Sequence, residues 1–398
     1  MLVRSTPHTL RCHALTALVL AALVASGAGA QLSPDPGFRP LSNTSLRNEV
    51  RRAINHGLEW LEKNQDTNGV WSSPEYPAIT ALGLTAFQLR PERLEQAAEP
   101  APVKRGYEFL LRCVQPDGGI YRKELPSYNT SISLVALIVG GHTGRQPVIL
   151  NARKFVIGLQ AHFGDAAKTN SPFEGGIGYG KADKTPDLSN SSFAFEAIDL
   201  CNSFLKDKNI TGLPDLDWAA ARKFIQNCQN LPDYNTNSWA SADPQNKGGF
   251  VYAPGRSAAG ETNLPSGRVA LRSYGSMSYA GLLSYIHADL KRDDPRVTAV
   301  WDWLRSNYTV DENPAMGPQG LYYYFHMMAK ALTAYGADTL ETRDGKSINW
   351  REQLALKLIN LQHADGSWAN ENGRWFEKDP ALVTAYSIIA LDMIYNKL

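Results

Sequence analysis

The sequence predicts an all-α fold, an (α/α)6 toroid of six helix–turn–helix repeats with an inner and an outer helical layer. Three observations predict it. First, one turn recurs along the chain: an apolar helix ends in Gln, and a short polar stretch leads to Gly and an aromatic. It reads Gln65 to Trp71, Gln115 to Tyr121 and Gln362 to Trp368. A turn that returns along a whole chain means repeated architecture. Second, the helix after each turn is apolar on most sides and rich in small residues, whereas the helix before it carries a charged face. A helix apolar all round is a buried one. Third, neither end shows the polar capping repeat that an open array requires, so six pairs are expected to close into a ring.

The N-terminus stands apart. Arg4 and Arg11 precede an apolar run from Ala14 to Ala25, and Ala28-Gly29-Ala30 follows. This pattern predicts a secretory signal peptide over residues 1–30, cleaved near Ala30, and hence a periplasmic or secreted protein. The run is short for a bilayer span. No later stretch is long and apolar enough for one. Residues 31–45, rich in Pro, Ser and Asn, read as a linker or N-terminal arm. A single toroid domain over residues 46–398 accounts for the remainder.

The repeats follow in order. In the first, Val50, Ile54, Leu58 and Leu61 recur at helical spacing, and the second helix runs from Pro77, a favourable first-turn residue. The second repeat pairs Val103–Cys113 with a helix from about Asn129 to Val139. The third pairs Ala152–Leu159 with Ser189–Phe204. The fourth opens at Asp217, an N-cap, and its turn is expanded. A Gly/Ser/Pro-rich loop then precedes the inner helix that begins near Arg272. The fifth pairs a helix from Pro295 with one from Tyr322 to Tyr335. The sixth pairs Trp350–Leu361 with a last helix from Asp379. Registered by its aromatic, the turn falls at Trp71, Tyr121, Tyr179, Tyr252, Tyr322 and Trp368. Its Gly supplies positive φ or close approach, and its aromatic buries area against the neighbouring unit. The motif is expected to join repeats rather than to do chemistry.

Composition narrows the function. The chain has 398 residues, 43% hydrophobic and 20% charged, with a formal charge of +1. That is globular composition, and no basic stripe marks a nucleic-acid surface. Beyond Cys12 in the leader, Cys113, Cys201 and Cys228 are an odd set, read as small buried thiols with at most one disulfide.

The turns at Gln65–Trp71 and Gln362–Trp368, with the weaker Gln115–Tyr121 copy, resemble the repeat motif of the terpenoid cyclase and protein prenyltransferase superfamily. Its bacterial members include prenyltransferase and squalene oxidase repeat proteins. The resemblance covers residues 45–398 and implies a toroid whose second helices line a central cavity. It implies an apolar small molecule or a peptide segment as ligand. The superfamily's functional signatures are missing. There is no Asp-x-Asp-Asp acid motif. At Tyr274-Gly275-Ser276, where prenyltransferase β-subunits carry zinc ligands, no ligand pair is present. No Gly-Cys-Gly-Glu-Gln thioester stretch occurs. No metal and no cofactor is therefore expected.

Candidate site residues lie at the starts of inner helices. Tyr322, His326 and Lys330 are four apart and share a helix face, with Tyr323 and Tyr324 beside them. His326 could act as acid or base and Tyr322 could orient or donate. A ridge of packed tyrosines around a core histidine is the alternative. Arg272, with Tyr274 and Ser273, precedes the fourth inner helix, where helix-start N–H groups favour anions. Trp375, Glu377 and Asp379 flank the last one, where an aromatic and two carboxylates could stabilise a cation or supply an acid. The reading divides between a metal-independent cyclase-like enzyme using Asp379 or His326 and a non-catalytic binding or scaffold toroid. A carbohydrate-active toroid with paired acids such as Asp187 and Asp379 is a third possibility. The oligomeric state is not legible.

Overall fold

The computed structural model describes residues 43–91, 99–141, 143–163, 171–180 and 184–398. The expected signal peptide, and the 31–45 arm up to residue 42, lie outside the described residues.

Among the described residues, twelve α-helices alternate in role. The outer ones are α1 (Thr44–Lys63), α3 (Ala101–Arg112), α5 (Gln146–Ile157), α7 (Trp218–Gln226), α9 (Pro295–Ser306) and α11 (Trp350–Leu361). The inner ones are α2 (Pro77–Leu89), α4 (Pro126–Gly140), α6 (Leu188–Asp207), α8 (Gly275–His287), α10 (Leu321–Tyr335) and α12 (Pro380–Tyr395). Each inner helix packs on its two inner neighbours, and α12 packs back on α2, so the ring is closed. All thirteen residues of α2 are buried, as is α12 from Ala381 to Ile394, which is what their all-round apolar sequences require. Two short hairpins decorate the outside: β1 (Glu261–Asn263) with β2 (Val269–Leu271), and β3 (Leu340–Glu341) with β4 (Ser347–Ile348). The first is the Gly/Ser/Pro-rich loop of repeat four. Cys113, Cys201 and Cys228 are free and buried.

The recurring turn is the joint between repeats. The Gln65 amide nitrogen donates to the Gly69 carbonyl (3.2 Å) and to Pro102 of the next outer helix (2.8 Å). Gln160 repeats this with Gly175 and Asp217, Gln229 with Gly248 and Arg296, and Gln362 with Gly366 and Ala53. One amide thus satisfies a turn carbonyl and a carbonyl of the neighbouring unit, and the last case seals the ring between repeats six and one. The turn glycine must be glycine. At Gly248 φ is +89°, and a Cβ would stand 2.1 Å from the Ala299 carbonyl oxygen of α9.

The structure corrects the register of four repeats; in the fifth, Tyr322 lies in the first turn of α10 and not in the joint. Two residues after the turn Gly, an N–H donates to a Ser or Thr hydroxyl of the following inner helix. The pairs are Trp71 with Thr80, Ile120 with Thr130, Ile177 with Ser191, Phe250 with Ser278 and Trp368 with Thr384. The joint residues are therefore Ile120, Ile177 and Phe250, not Tyr121, Tyr179 and Tyr252. An isoleucine fills the slot in two of these repeats and Phe250 in the fourth, so taking the tyrosine as the marker was a misleading guide. Tyr179 and Tyr252 are released to face the lumen.

Candidate functional site

The lumen holds two chambers separated by an aromatic waist. Phe193 of α6 lines both. Around it, the Tyr128 ring meets Phe193 edge-on at 5.4 Å, Tyr323 lies 6.1 Å from Phe193, and the hydroxyls of Tyr128 and Tyr386 are 3.2 Å apart. His326 stacks on Tyr386 at 4.6 Å.

The chamber at the N-terminal ends of the inner helices has a volume of about 180 Å³. Ten of its eighteen lining residues are aromatic: Tyr76, Tyr128, Tyr179, Phe193, Tyr252, Tyr274, Tyr323, Trp375, Phe376 and Tyr386. No Lys, Arg or His is among those lining residues, and Glu377 is the one carboxylate. Burial pushes the hydroxyls of Tyr252, Tyr274, Tyr323 and Tyr386 upward, and that of Tyr128 to about 12. These walls are therefore neutral phenols at physiological pH.

The rim is formed by the segment that leads into α12. Trp375 and Phe376 are 45% and 57% exposed, although large and apolar. Both adopt left-handed backbone, with φ of 56° and 64°. Such conformations are costly for bulky residues and concentrate at functional sites. The segment is pinned by Glu377, which is fully buried. Its carboxylate accepts the Tyr323 N–H (2.7 Å) and the Asn370 amide (2.6 Å). It thereby serves the N-terminus of α10, whose N-cap position is Gly320 and has no side chain to offer. Burial raises the Glu377 pKa, while Asn370 and the α10 N–H groups pull it down.

Behind the wall stands Asp187, 1% exposed, the N-cap of α6. Its oxygens accept from the Asn190 N–H (2.9 Å) and side-chain amide (2.7 Å). Burial lifts its pKa to about 6 against the pull of those bonds and of the Tyr252 hydroxyl. The Tyr252 hydroxyl also lies 3.5 Å from that of Tyr179, a long contact, so a line of hydroxyls leads from Asp187 to the chamber.

The second chamber, of about 60 Å³, lies toward the C-terminal ends of the inner helices. Its walls mix Leu82, Ile132, Val135 and Ile389 with Glu196, Asp199, His287, His326, Lys330 and Asp392. Lys330 and Glu196 form an ion pair whose side chains are 7% and 10% exposed. His287 Nδ1 lies 2.8 Å from Asp199.

The residues singled out in the sequence do not converge. Tyr323, Tyr274, Trp375 and Glu377 line the N-terminal chamber, and His326 and Lys330 the C-terminal one. Tyr322 lines neither; it packs edge-on against Phe325. The lumen-facing stripe of α10 is Tyr323, His326, Lys330 and Thr333, which keeps His326 and Lys330 of the expected face and replaces Tyr322 by Tyr323. Arg272 is exposed, its main chain tied into the first hairpin through Gly260 and Ser257. Asp379 N-caps α12 by accepting the Ala381 N–H (2.9 Å), and its other oxygen is held by Ser72. It lines neither chamber. Sequence reasoning missed Tyr128, Tyr386, Glu196 and Asp392. Asp392, the single carboxylate of the apolar α12, and Glu196, set in the apolar stretch 193–198 of α6, were the available signals. Among the described residues no group of three or more His, Cys, Asp or Glu side chains is placed to hold a metal ion, and no helix is long and apolar enough to cross a membrane.

The chain path has known counterparts. Type II terpene cyclase MstE from Scytonema is similar in structure: TM-score 0.49 at 12% identity, over 88% of this chain and 99% of that one. Two MstE variants, one bound to its substrate geranylgeranyl dihydroxybenzoate and one to its product merosterolic acid A, give TM-scores of 0.48 and 0.47. Their identities are 12% and 13%, each over 89% of this chain and 100% of the other. No protein-family model matches the sequence, and no curated protein does.

Proposed function

We propose that this toroid binds an apolar small molecule, with the aromatic N-terminal chamber as its site. The observation that carries the reading is the combination of ten aromatic walls with an exposed Trp375–Phe376 rim held in left-handed backbone. Large apolar groups on a surface mark recognition sites when they border a concavity. Size limits the ligand. About 180 Å³ exceeds the roughly 150 Å³ cavity that takes benzene and falls below the roughly 300 Å³ of a drug-sized site. The chamber suits one branched end of an isoprenoid-like chain, with the remainder leaving across the rim; a folded peptide is too large. The leader-like residues 1–30 support an exported protein, which N-terminal sequencing of the mature chain tests.

Trp375 supplies the direct experiment. Titrating the purified protein with geraniol should change tryptophan fluorescence saturably, and Met277→Trp, which fills the chamber, should abolish binding. Unsaturable change, or full binding by that variant, would contradict the reading.

A catalytic version has one observation in its favour. Asp187, protonated up to about pH 6 and linked through Tyr252 and Tyr179 to the chamber, is placed to donate a proton. Asp379, engaged at a helix start, and His326, below the waist, find less support as the acid. The same holds for a sugar-cleaving pair of Asp187 and Asp379. If Asp187 acts chemically, Asp187→Asn keeps geraniol affinity but loses any turnover of a polyprenyl substrate; equal turnover excludes that role.

A further inference from the structure

Buried polar atoms without partners are few in folded proteins and call for an explanation at each occurrence. Around the C-terminal chamber they gather. Neither carboxyl oxygen of Asp392 has a hydrogen-bond partner, nor do the Nε2 of His287 and the hydroxyl of Thr333. Neither ring nitrogen of His326 has a partner in good geometry. Asp392 and His326 are each 1% exposed. These four residues sit on α8, α10 and α12, yet line one chamber.

The charges there favour a cation. Glu196 is matched by Lys330, and Asp199 by His287; Asp392 has no ion-pair partner among the described residues. Burial pushes the Asp392 carboxyl well above the usual carboxylate range, with Arg90 at the end of α2 pulling the other way. Burial and Lys330 hold His326 neutral, which leaves it one bare nitrogen as an acceptor. The inner helices also end toward this chamber, and helix C-termini carry partial negative charge. Its remaining walls, among them Leu82, Ile132, Val135 and Ile389, are aliphatic.

We propose that the C-terminal chamber is a second ligand site, for a primary alkylammonium ion whose head pairs with Asp392 and donates to the Thr333 hydroxyl at the same C-terminal level of the inner helices, with His326 further up the chamber wall. A slim head is required, since about 60 Å³ is less than half of the roughly 150 Å³ that accommodates benzene. The alkyl stem lies on the aliphatic walls. The rest of the molecule leaves past Asp199 and the exposed Asn396. Binding ionises Asp392, and its proton passes to solvent. The other titratable groups that face the site are Glu196, Asp199, His287, His326 and Lys330 around the chamber, and Arg90 behind it.

Isothermal titration of the full chain with n-butylammonium chloride, butan-1-ol and sodium butyrate tests this. The amine should bind at least about tenfold more tightly than the alcohol, and butyrate should not bind. The measured heat should vary with the ionisation heat of the buffer in the sense of proton release. Asp392→Asn should weaken the amine at least about tenfold and remove the proton release. Val135→Trp fills the chamber from α4 without touching Asp392, and should block the amine even if the Asp392 variant fails to fold. Equal affinity for amine and alcohol overturns the proposal. So does undiminished amine binding by either folded variant, or no saturable amine binding by the parent chain, which would leave a water cluster as the partner of these atoms.

Discussion

At the residue scale, burial decides what the acids of this lumen do. Asp187 ionises near its ordinary value of 3.8 when unfolded and at about 6 when folded. Between these values the folded state holds a proton that the unfolded state has lost, so stability falls as pH rises from about 4 to 6. Above pH 6 the full penalty applies, roughly 3 kcal/mol for a shift of this size. Asp187→Asn is neutral at every pH and still accepts the Asn190 N–H at the helix start. The Asn190 amide can turn to meet it, since its own oxygen has no partner. Urea titrations should show the variant as stable as the parent at pH 4, more stable by about 2–3 kcal/mol at pH 7.5, and flatter between. A parent whose stability does not fall across that window would contradict the assignment. Reading a sequence reaches such a residue only partly. That Asp187 begins a helix was legible; that burial lifts its pKa against the pull of Tyr252, 65 positions away in the chain, is set by tertiary packing. Asp379 likewise begins an inner helix, but it is met by Ser72 and lines neither chamber.

At the scale of elements, the rim before α12 trades stability for exposure. Trp375 and Phe376 store left-handed strain in a short segment that Glu377 anchors to α10. Replacing Phe376 by Gly relieves strain worth about 1 kcal/mol, offset by the greater freedom of the unfolded chain and the lost ring contact with Tyr76 at 5.3 Å. Phe376→Gly should therefore melt within a few degrees of the parent while geraniol affinity falls about tenfold. A large drop in melting temperature with unchanged affinity would make the rim a structural brace instead. The inner helices explain why the site was the harder part to read. Periodicity locates an apolar face, but α2, α4 and α12 are buried nearly all round, so periodicity does not mark which side meets the lumen, and in α12 Asp392 alone hints at it. On α10 the face through Tyr322 and the face through Tyr323 were equally plausible from spacing alone, and only packing against Phe193 and Tyr386 separates them.

On the scale of the whole molecule, the repeat was readable because its turn is built from local necessities: a glycine at positive φ, a glutamine bonding two carbonyls, and an apolar residue behind them. Closure followed from the absence of end caps, and Gln362 reaching Ala53 is its physical form. A closed ring has no free repeat from which to fray. Urea unfolding should accordingly be one transition, superimposable by far-ultraviolet circular dichroism and tryptophan fluorescence. Gly366→Val would push a side chain against the His56 carbonyl, 2.5 Å from the Cβ position, at a φ of +96°. It should lower the whole transition by about 3 kcal/mol or more. A separate early phase confined to α1 would instead describe an open array.

The central claim is that the aromatic chamber between the inner helices receives an apolar ligand. Photolabelling with a diazirine-bearing geranyl probe, followed by peptide mapping, tests it most directly. Label that geraniol competes away should fall on the chamber walls, at Tyr128, Met277, Tyr323 and Tyr386 and at Trp375 on the rim. Label scattered over the outer helices, or label that geraniol does not displace, would contradict it.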